Sequence, residues 1–155
     1  MSDDAVQIFR SVEHPGSAPP ALVYGRALVT PIGVCLLPVM IGALVAALQG
    51  YPALSYLLVG FPGAIAVAML WTHYRLRTTL AEIRVRPDAA ALRTVWECAR
   101  EEPLRWMRVL DLRTNRSAIE ATVGRGTYAL RTARWPEHEA LLEALRQARD
   151  VYLLS

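Results

Sequence analysis

The chain has 155 residues with 17 basic and 14 acidic side chains, and all the basic ones are arginine, which gives a net charge of +3. A balance this close to neutral excludes the strong basic bias expected of a nucleic-acid-binding protein. Cys35 lies within a long apolar stretch and Cys98 in a polar region, so the two cannot meet and a disulfide framework is excluded as well.

The chain begins with a polar arm, residues 1–26, in which prolines and a glycine cluster between positions 15 and 20. Because the arm shows little periodicity, we expect it to be disordered when alone. Its first residues are polar and acidic, which is not the pattern of a secretory signal peptide. The apolar run that follows is therefore expected to be an uncleaved anchor.

From Ala27 to Tyr74 the chain has 48 residues without a single Asp, Glu, Lys or Arg. Residues 49–52 (Gln-Gly-Tyr-Pro) divide this stretch into two apolar runs, 27–48 and 53–74. Each run has the length of about 20 residues that a helix needs to cross a bilayer core, where charged side chains are costly. The pattern predicts a transmembrane helical hairpin over residues 27–74, in contact with membrane lipid.

Arginine placement predicts the orientation of this hairpin. The loop between the runs has no charge, whereas arginines flank the hairpin at positions 10, 26, 75, 77, 84 and 86. The positive-inside rule then places both termini in the cytoplasm, in a two-pass arrangement. Aromatic side chains at both interfaces agree with it: Tyr24, Trp71 and Tyr74 on the cytoplasmic side, Tyr51 and Tyr56 on the other.

Small residues recur at a spacing of four within the runs, and they would allow close helix approach. They are Gly42 and Ala46 in the first run and Gly60, Ala64 and Ala68 in the second. Two interpretations remain open: the hairpin packs on itself, or it docks another membrane subunit. Transport is not predicted, because no ionisable group lies at membrane depth.

Residues 75–155 predict a small antiparallel β domain with a C-terminal helix, so the fold class is an α+β membrane protein. Alternation of apolar and polar residues predicts five strands, and the glycines of Gly124-Arg125-Gly126 predict a hairpin turn. A helix over residues 136–150 follows from Pro136, early acidic residues and the spacing of Leu141, Leu142, Leu145 and Ala148. The predicted strands are 81–86, 92–98, 104–112, 117–123 and 127–132.

This arrangement resembles the bacterial pleckstrin-homology-like (PH-like) membrane proteins, through three short motifs: Glu102-Pro103-Leu104, Gly124-Arg125-Gly126 and Trp135-Pro136-Glu137. The resemblance implies a binding or scaffolding module in the bacterial cytoplasmic membrane, without catalysis. It also implies seven strands where five are visible. Either two strands are irregular in sequence, within 99–104 and near 113–116, or the domain is a reduced relative.

The sequence offers no catalytic constellation, metal-ligand spacing, cofactor motif or evident small-molecule site, so we predict that the protein is not an enzyme. His73, at the end of the second apolar run, is the one candidate ligand for a haem or pigment metal, but it has no second ligand. Arg105, Arg108 and Arg125 are candidates for contact with lipid headgroups or a partner. Trp106 and Trp135 are candidates either for the core or for a partner interface.

Two functional hypotheses follow from these patterns. The leading one is a non-enzymatic accessory subunit or assembly factor of a larger bacterial membrane complex; respiratory and photosynthetic complexes are plausible hosts, but no residue selects one. The alternative is a free membrane-tethered module that binds lipid headgroups or peptides. The partner-facing residues in either case are Tyr24, Gly42, Ala46, Gly60, Ala64, Trp71 and the arginines and tryptophans named above.

Overall fold

The computed structural model describes residues 6–153, and it divides into two compact units. Residues 18–78 form a helical unit. The described residues up to Ser17 join those from Thr79 onward in a second unit, which we call the β unit. The β unit is thus discontinuous in sequence, with the helical unit inserted between its first and second strands.

The helical unit consists of α1 (Pro20–Leu48) and α2 (Ala53–Thr78), joined by residues 49–52 as the sequence predicts. Both helices extend beyond the apolar runs: α1 begins at Pro20, which suits the first helical turn, and α2 continues through Arg75 and Arg77. Each is long and apolar enough to cross a membrane, and only 17% and 11% of their most apolar windows are buried. Their exposed surface is therefore mostly apolar, as in a two-pass membrane protein.

The β unit contains two antiparallel sheets. The first has four strands in the order β1 (Gln7–Arg10), β2 (Leu80–Val85), β3 (Ala90–Thr94) and β4 (Trp106–Met107). The second has three strands in the order β5 (Val109–Thr114), β6 (Ala118–Val123) and β7 (Gly126–Arg131). Short helix α3 (Val95–Ala99) follows β3, and α4 (His138–Leu153) ends the described chain.

The described residues thus form seven strands, where the sequence predicts five. Neither additional strand is where we expected it, within 99–104 or near 113–116. One is β1, so the expectation of a disordered arm is wrong for residues 7–10, which pair with β2. The other arises because the predicted strand 104–112 is divided into β4 and β5, which belong to different sheets.

The predicted strand 92–98 is wrong in its second half, where α3 forms. Thr94 is the N-cap of this helix: its hydroxyl accepts a hydrogen bond from the Glu97 N–H, and the Glu97 carboxylate accepts one from the Thr94 N–H. This reciprocal capping box satisfies two backbone donors at once and stops the strand at Thr94. Trp96 and Cys98 continue the every-second-residue pattern of the strand before them, and this pattern misled the prediction.

The core of the β unit lies between the sheets and α4. The strands contribute the buried side chains of Ile83, Ile119 and Leu130, and α4 contributes those of Leu141 and Leu145. The apolar stripe of the C-terminal helix therefore packs as its spacing predicts. The helix begins at His138 rather than at position 136, because residues 136–137 form a turn in which the His138 N–H donates to the Trp135 carbonyl.

Candidate functional site: an arginine-rich sheet face

Alternation along β2 directs Ala81, Ile83 and Val85 into the core and places Glu82 and Arg84 on the opposite face. Glu82 nevertheless has only 3% of its surface exposed. A buried carboxylate is costly unless charged partners and hydrogen bonds stabilise it. The surroundings of Glu82 therefore define the most unusual site in the described part of the chain.

Four cationic or imidazole side chains converge on Glu82 from separate segments; we call these five residues the Glu82 cluster. Arg84 Nε lies 2.8 Å from Oε1 and Arg93 Nη1, from β3, lies 3.7 Å from the same oxygen. Arg10 Nε, from β1, and His14 Nε2 lie 3.6 Å and 3.4 Å from Oε2. The cluster therefore ties the first strand and the following residues of the arm to the centre of the sheet.

The hydrogen bonds around His14 indicate which ring nitrogen carries the proton. Its Nδ1 accepts a hydrogen bond from the Gly16 N–H at 3.0 Å, so the proton of the neutral ring lies on Nε2, toward Glu82. Ser11 adds a further contact, since its hydroxyl donates to the Leu80 carbonyl at 3.2 Å. Residues 11–16 are thus held to the β unit by several polar contacts.

The surroundings of Glu82 lower its pKa below the ordinary value of 4.5. Burial by itself raises this pKa, but the hydrogen bond and the charge of Arg84, followed by the attraction of His14 and Arg93, outweigh the effect of burial. The carboxylate is therefore ionised at neutral pH. Three guanidinium groups share one carboxylate, which leaves a local excess of positive charge.

We expect the β unit to lose stability in acid through Glu82. Because the pKa is lower in the folded state, this carboxylate contributes stability above its unfolded-state pKa, and the contribution disappears as pH falls through the folded-state pKa. The measurement is the free energy of unfolding from pH 7 to pH 3 for the wild type and Glu82→Gln. The difference between them should shrink as pH falls; a difference that is constant or grows would contradict the assignment.

Arginine side chains extend this positive face along the sheet. The Arg86 guanidinium lies 4.0 Å above the Trp106 ring, a cation–π contact from β4. The Arg93 Nη2 donates to the Glu102 carbonyl. Within residues 6–153, the buried Nε atoms of Arg86 and Arg93 have no hydrogen-bond partner. The face therefore holds two buried guanidinium donors without a hydrogen-bond partner among the described residues.

The cysteine beside this cluster is not poised as a nucleophile. Burial raises the pKa of Cys98 to about 11, and the nearby charge of Glu82 adds to the rise. The thiol is therefore protonated at neutral pH, whereas nucleophilic cysteines act as thiolates. Among the described residues, no group of three or more His, Cys, Asp or Glu side chains could hold a metal ion.

A shallow groove of about 300 Å³ lies at the end of β2, beside α4. Its walls are mainly apolar, and Arg86 is the charged residue among those that line it. The lining residues are Gln7, Val85, Arg86, Pro87, Ala144, Gln147 and Val151.

The sequence-predicted contact residues of the helical unit lie partly between the two helices. Ala46 and Ala64 are buried, and a Cβ on Gly60 would meet Val39 of α1, whereas one on Gly42 would meet nothing within 4 Å. The hydroxyl of Tyr24 donates to the Met69 carbonyl at 3.2 Å. Packing of the hairpin on itself thus accounts for most of these positions. Trp71 and His73 are exposed.

The predicted residues of the β unit occupy three different environments. Arg105, Arg108 and Arg125 are exposed, and the turn at Gly124 lies against Arg108, whose carbonyl accepts the Gly124 N–H at 2.9 Å. Trp106 is half-buried beneath Arg86. Trp135 is 3% exposed within the core cluster, so of the two roles left open for it, the structure gives the core.

Sequence reasoning missed the Glu82 cluster. The alternation in β2 signals that Glu82, Arg84 and Arg86 share a face, but Arg10 and His14 come from the arm, some 70 residues earlier in the chain. No family model, curated protein or solved structure matches the chain. The functional argument therefore depends on the geometry of this molecule alone.

Proposed function

We propose that this protein is a non-enzymatic accessory subunit or assembly factor of a larger bacterial membrane protein complex, anchored by α1 and α2. The observation that carries the proposal is the way the two units are connected. A single residue, Thr79, separates the end of α2 from the start of β2. Nine residues, 11–19, separate β1 from α1.

The longer connection is also restrained. Ser11 N–H donates to the Ala81 carbonyl at 2.8 Å, and Val12 N–H donates to the Arg134 carbonyl at 3.0 Å. A module on a long flexible linker can search a large volume, whereas connections as short as these restrict that search. This supports a partner that is itself in or at the membrane, as expected for a subunit of a membrane complex.

We also propose that the β unit is a PH-like module with the membrane hairpin inserted after its first strand. Seven strands followed by a helix that covers the core support this interpretation, since the resemblance implies seven strands and a terminal helix. Such a module is a binding or scaffolding element. The exposed apolar perimeter of the helices leaves room for a second contact within the bilayer.

Co-migration tests the proposed function. Native membranes are solubilised in mild detergent, separated by size under native conditions, and searched for this chain by mass spectrometry while absorption spectra are recorded. Migration in a large particle that resists high salt supports a subunit or assembly factor. Migration at monomer or small-oligomer size would overturn it.

The alternative, a free module that binds lipid headgroups, is favoured by one observation, the exposure of Arg105, Arg108 and Arg125. Each such arginine is worth about 1 kcal/mol near an anionic membrane surface. Replacing all three by alanine should then abolish retention of the protein on anionic lipid. Retention that is unchanged in the triple variant would exclude this alternative.

The proposed location is the cytoplasmic membrane, with both termini in the cytoplasm. Arg75 and Arg77 in the last turn of α2, against the uncharged loop 49–52, support it. In a variant lacking Cys35 and Cys98, we expect Tyr51→Cys to react with a membrane-impermeant maleimide on intact spheroplasts, and Ser117→Cys to react only after lysis. The reverse pattern would invert the topology.

A further inference from the structure

The outer edge of β1 is open over two residues. Ser11 N–H donates to Ala81 across the β1–β2 pair, so the alternate residues Phe9 and Gln7 also direct their backbone groups toward β2. Ile8 and Arg10 then direct their N–H and C=O groups away from the sheet. Within the described chain, neither has a backbone partner. The edge is closed only beyond them, where Val12 bonds to Arg134.

Apolar side chains are exposed at this open edge. Ile8 is 45% exposed and Val6, just before it, is 37% exposed, although Phe9 between the sheets is buried. Natural sheets usually protect such an edge, because it is a template for pairing with another strand. The charged residue at this edge, Arg10, would oppose a basic strand but attract an acidic one, so the unpaired backbone groups remain available to an acidic strand.

Charge adds a chemical preference for the incoming strand. Arg10, with 62% of its side chain exposed, lies at the edge, and Arg84 is opposite Ile8 in the register. Arg10, Arg84 and Arg93 carry three positive charges against the single Glu82 carboxylate. A neighbouring strand with carboxylates on this face would meet the excess positive charge.

We infer that a protein partner adds an extended segment with alternating apolar and acidic residues to the free edge of β1. Its backbone would pair with Ile8 and Arg10, its carboxylates would lie on the face that carries Arg10 and Arg84, and its apolar side chains would lie on the opposite face, the side of Phe9. This inference depends on the proposed function, because it names the chemistry of the partner in the complex. A lipid headgroup could satisfy the arginines, but it offers no regular backbone to the two open residues.

The test uses the full chain in nanodiscs and the peptide acetyl-Val-Asp-Val-Glu-Val-Asp-amide as probe. We expect binding by isothermal titration calorimetry, with the Ile8 and Arg10 amides becoming protected from hydrogen exchange. The analogue with lysine in place of each acidic residue should not bind. No binding of the acidic peptide at millimolar concentration would overturn the inference.

A matched pair of variants locates the binding. Ile8→Pro removes the outward N–H without touching the bonds between β1 and β2, because proline is tolerated where its nitrogen faces away from the sheet. The affinity for the peptide should fall about tenfold, which corresponds to the loss of roughly one hydrogen bond. Ile8→Thr keeps the N–H and should retain most of the affinity. Protection of the Phe9 amide in both variants confirms that the strand is in place.

The remaining outcomes separate this inference from the proposed function. Equal binding to Ile8→Pro, or protection of Ile8 and Arg10 by nanodiscs of anionic lipid without peptide, would overturn strand addition. Ile8→Pro should also release the chain from the large particle in native membranes. If the wild type and Ile8→Pro both remain in that particle, the proposed function stands and the β1 site fails.

Discussion

Replacing Glu82 by glutamine should destabilise the β unit by about 3 kcal/mol, and by up to about 5 kcal/mol where the arginines cannot reorient. Glutamine keeps the shape of the side chain but removes the charge that Arg84, Arg93 and Arg10 share. Arg84 and Arg93 have only 27% and 15% of their side chains exposed, so water replaces the lost carboxylate poorly. The measurement is urea unfolding of the full chain in detergent, followed by tryptophan fluorescence.

A surface ion pair provides the control. Asp111 Oδ2 lies 3.0 Å from Arg113 Nε, but both side chains are at least half exposed. Asp111→Asn should therefore cost less than about 1 kcal/mol. Equal losses from Glu82→Gln and Asp111→Asn would show that the Glu82 cluster does not hold the fold.

The arginines should also couple to Glu82. In a Glu82→Gln background, Arg93→Gln removes a cation that has lost its partner, so the double variant should be less destabilised than the sum of the single variants. Additive losses would mean that Arg93 acts through other contacts, such as its bond to the Glu102 carbonyl. Increased hydrogen exchange at Phe9 in Glu82→Gln would show that the loss includes the anchoring of β1.

The features that the sequence predicts correctly are those in which local pattern and packing agree. The two apolar helices are evident from the sequence, because 48 successive residues lack Asp, Glu, Lys and Arg and a short polar break divides them into two runs of helical length. The turn before β7 is equally local: Gly124 has a φ of 60°, which glycine adopts without steric cost. The buried stripe of α4 follows from helical spacing for the same reason.

The remaining features depend on contacts that a single segment does not encode. β1 is four residues long within a proline-rich arm, and only its pairing with β2 makes it a strand. α3 does have a local signal, the Thr94-x-x-Glu97 capping box, which competes with alternation and prevails. No single segment of the sequence reveals the whole Glu82 cluster, because its members come from β1, the arm, β2 and β3.

In the helical unit, Gly60→Ala should weaken the pairing of α1 and α2 by about 1–3 kcal/mol, the usual cost of overpacking. A Cβ at position 60 would come within 2.5 Å of Val39 Cγ1 and 3.4 Å of Val39 Cβ. Valine in a helix has one strongly preferred rotamer, so Val39 cannot turn away cheaply and the helices must separate. The measurement is the fraction of paired helices, from the distance between spin labels at positions 26 and 71, as SDS is titrated into mild detergent.

Two further variants distinguish lost packing from a general effect of alanine. Gly63 lies one turn further along α2, and a Cβ added there meets nothing within 4 Å. Gly63→Ala should therefore leave the free energy of helix pairing within about 0.5 kcal/mol of the wild-type value. Val39→Ala in the Gly60→Ala background removes the opposing methyl groups and should restore most of the pairing. If Gly60→Ala pairs as strongly as Gly63→Ala, close approach at Gly60 is not what holds the hairpin together. The small residues of α2 would then be available for another membrane subunit.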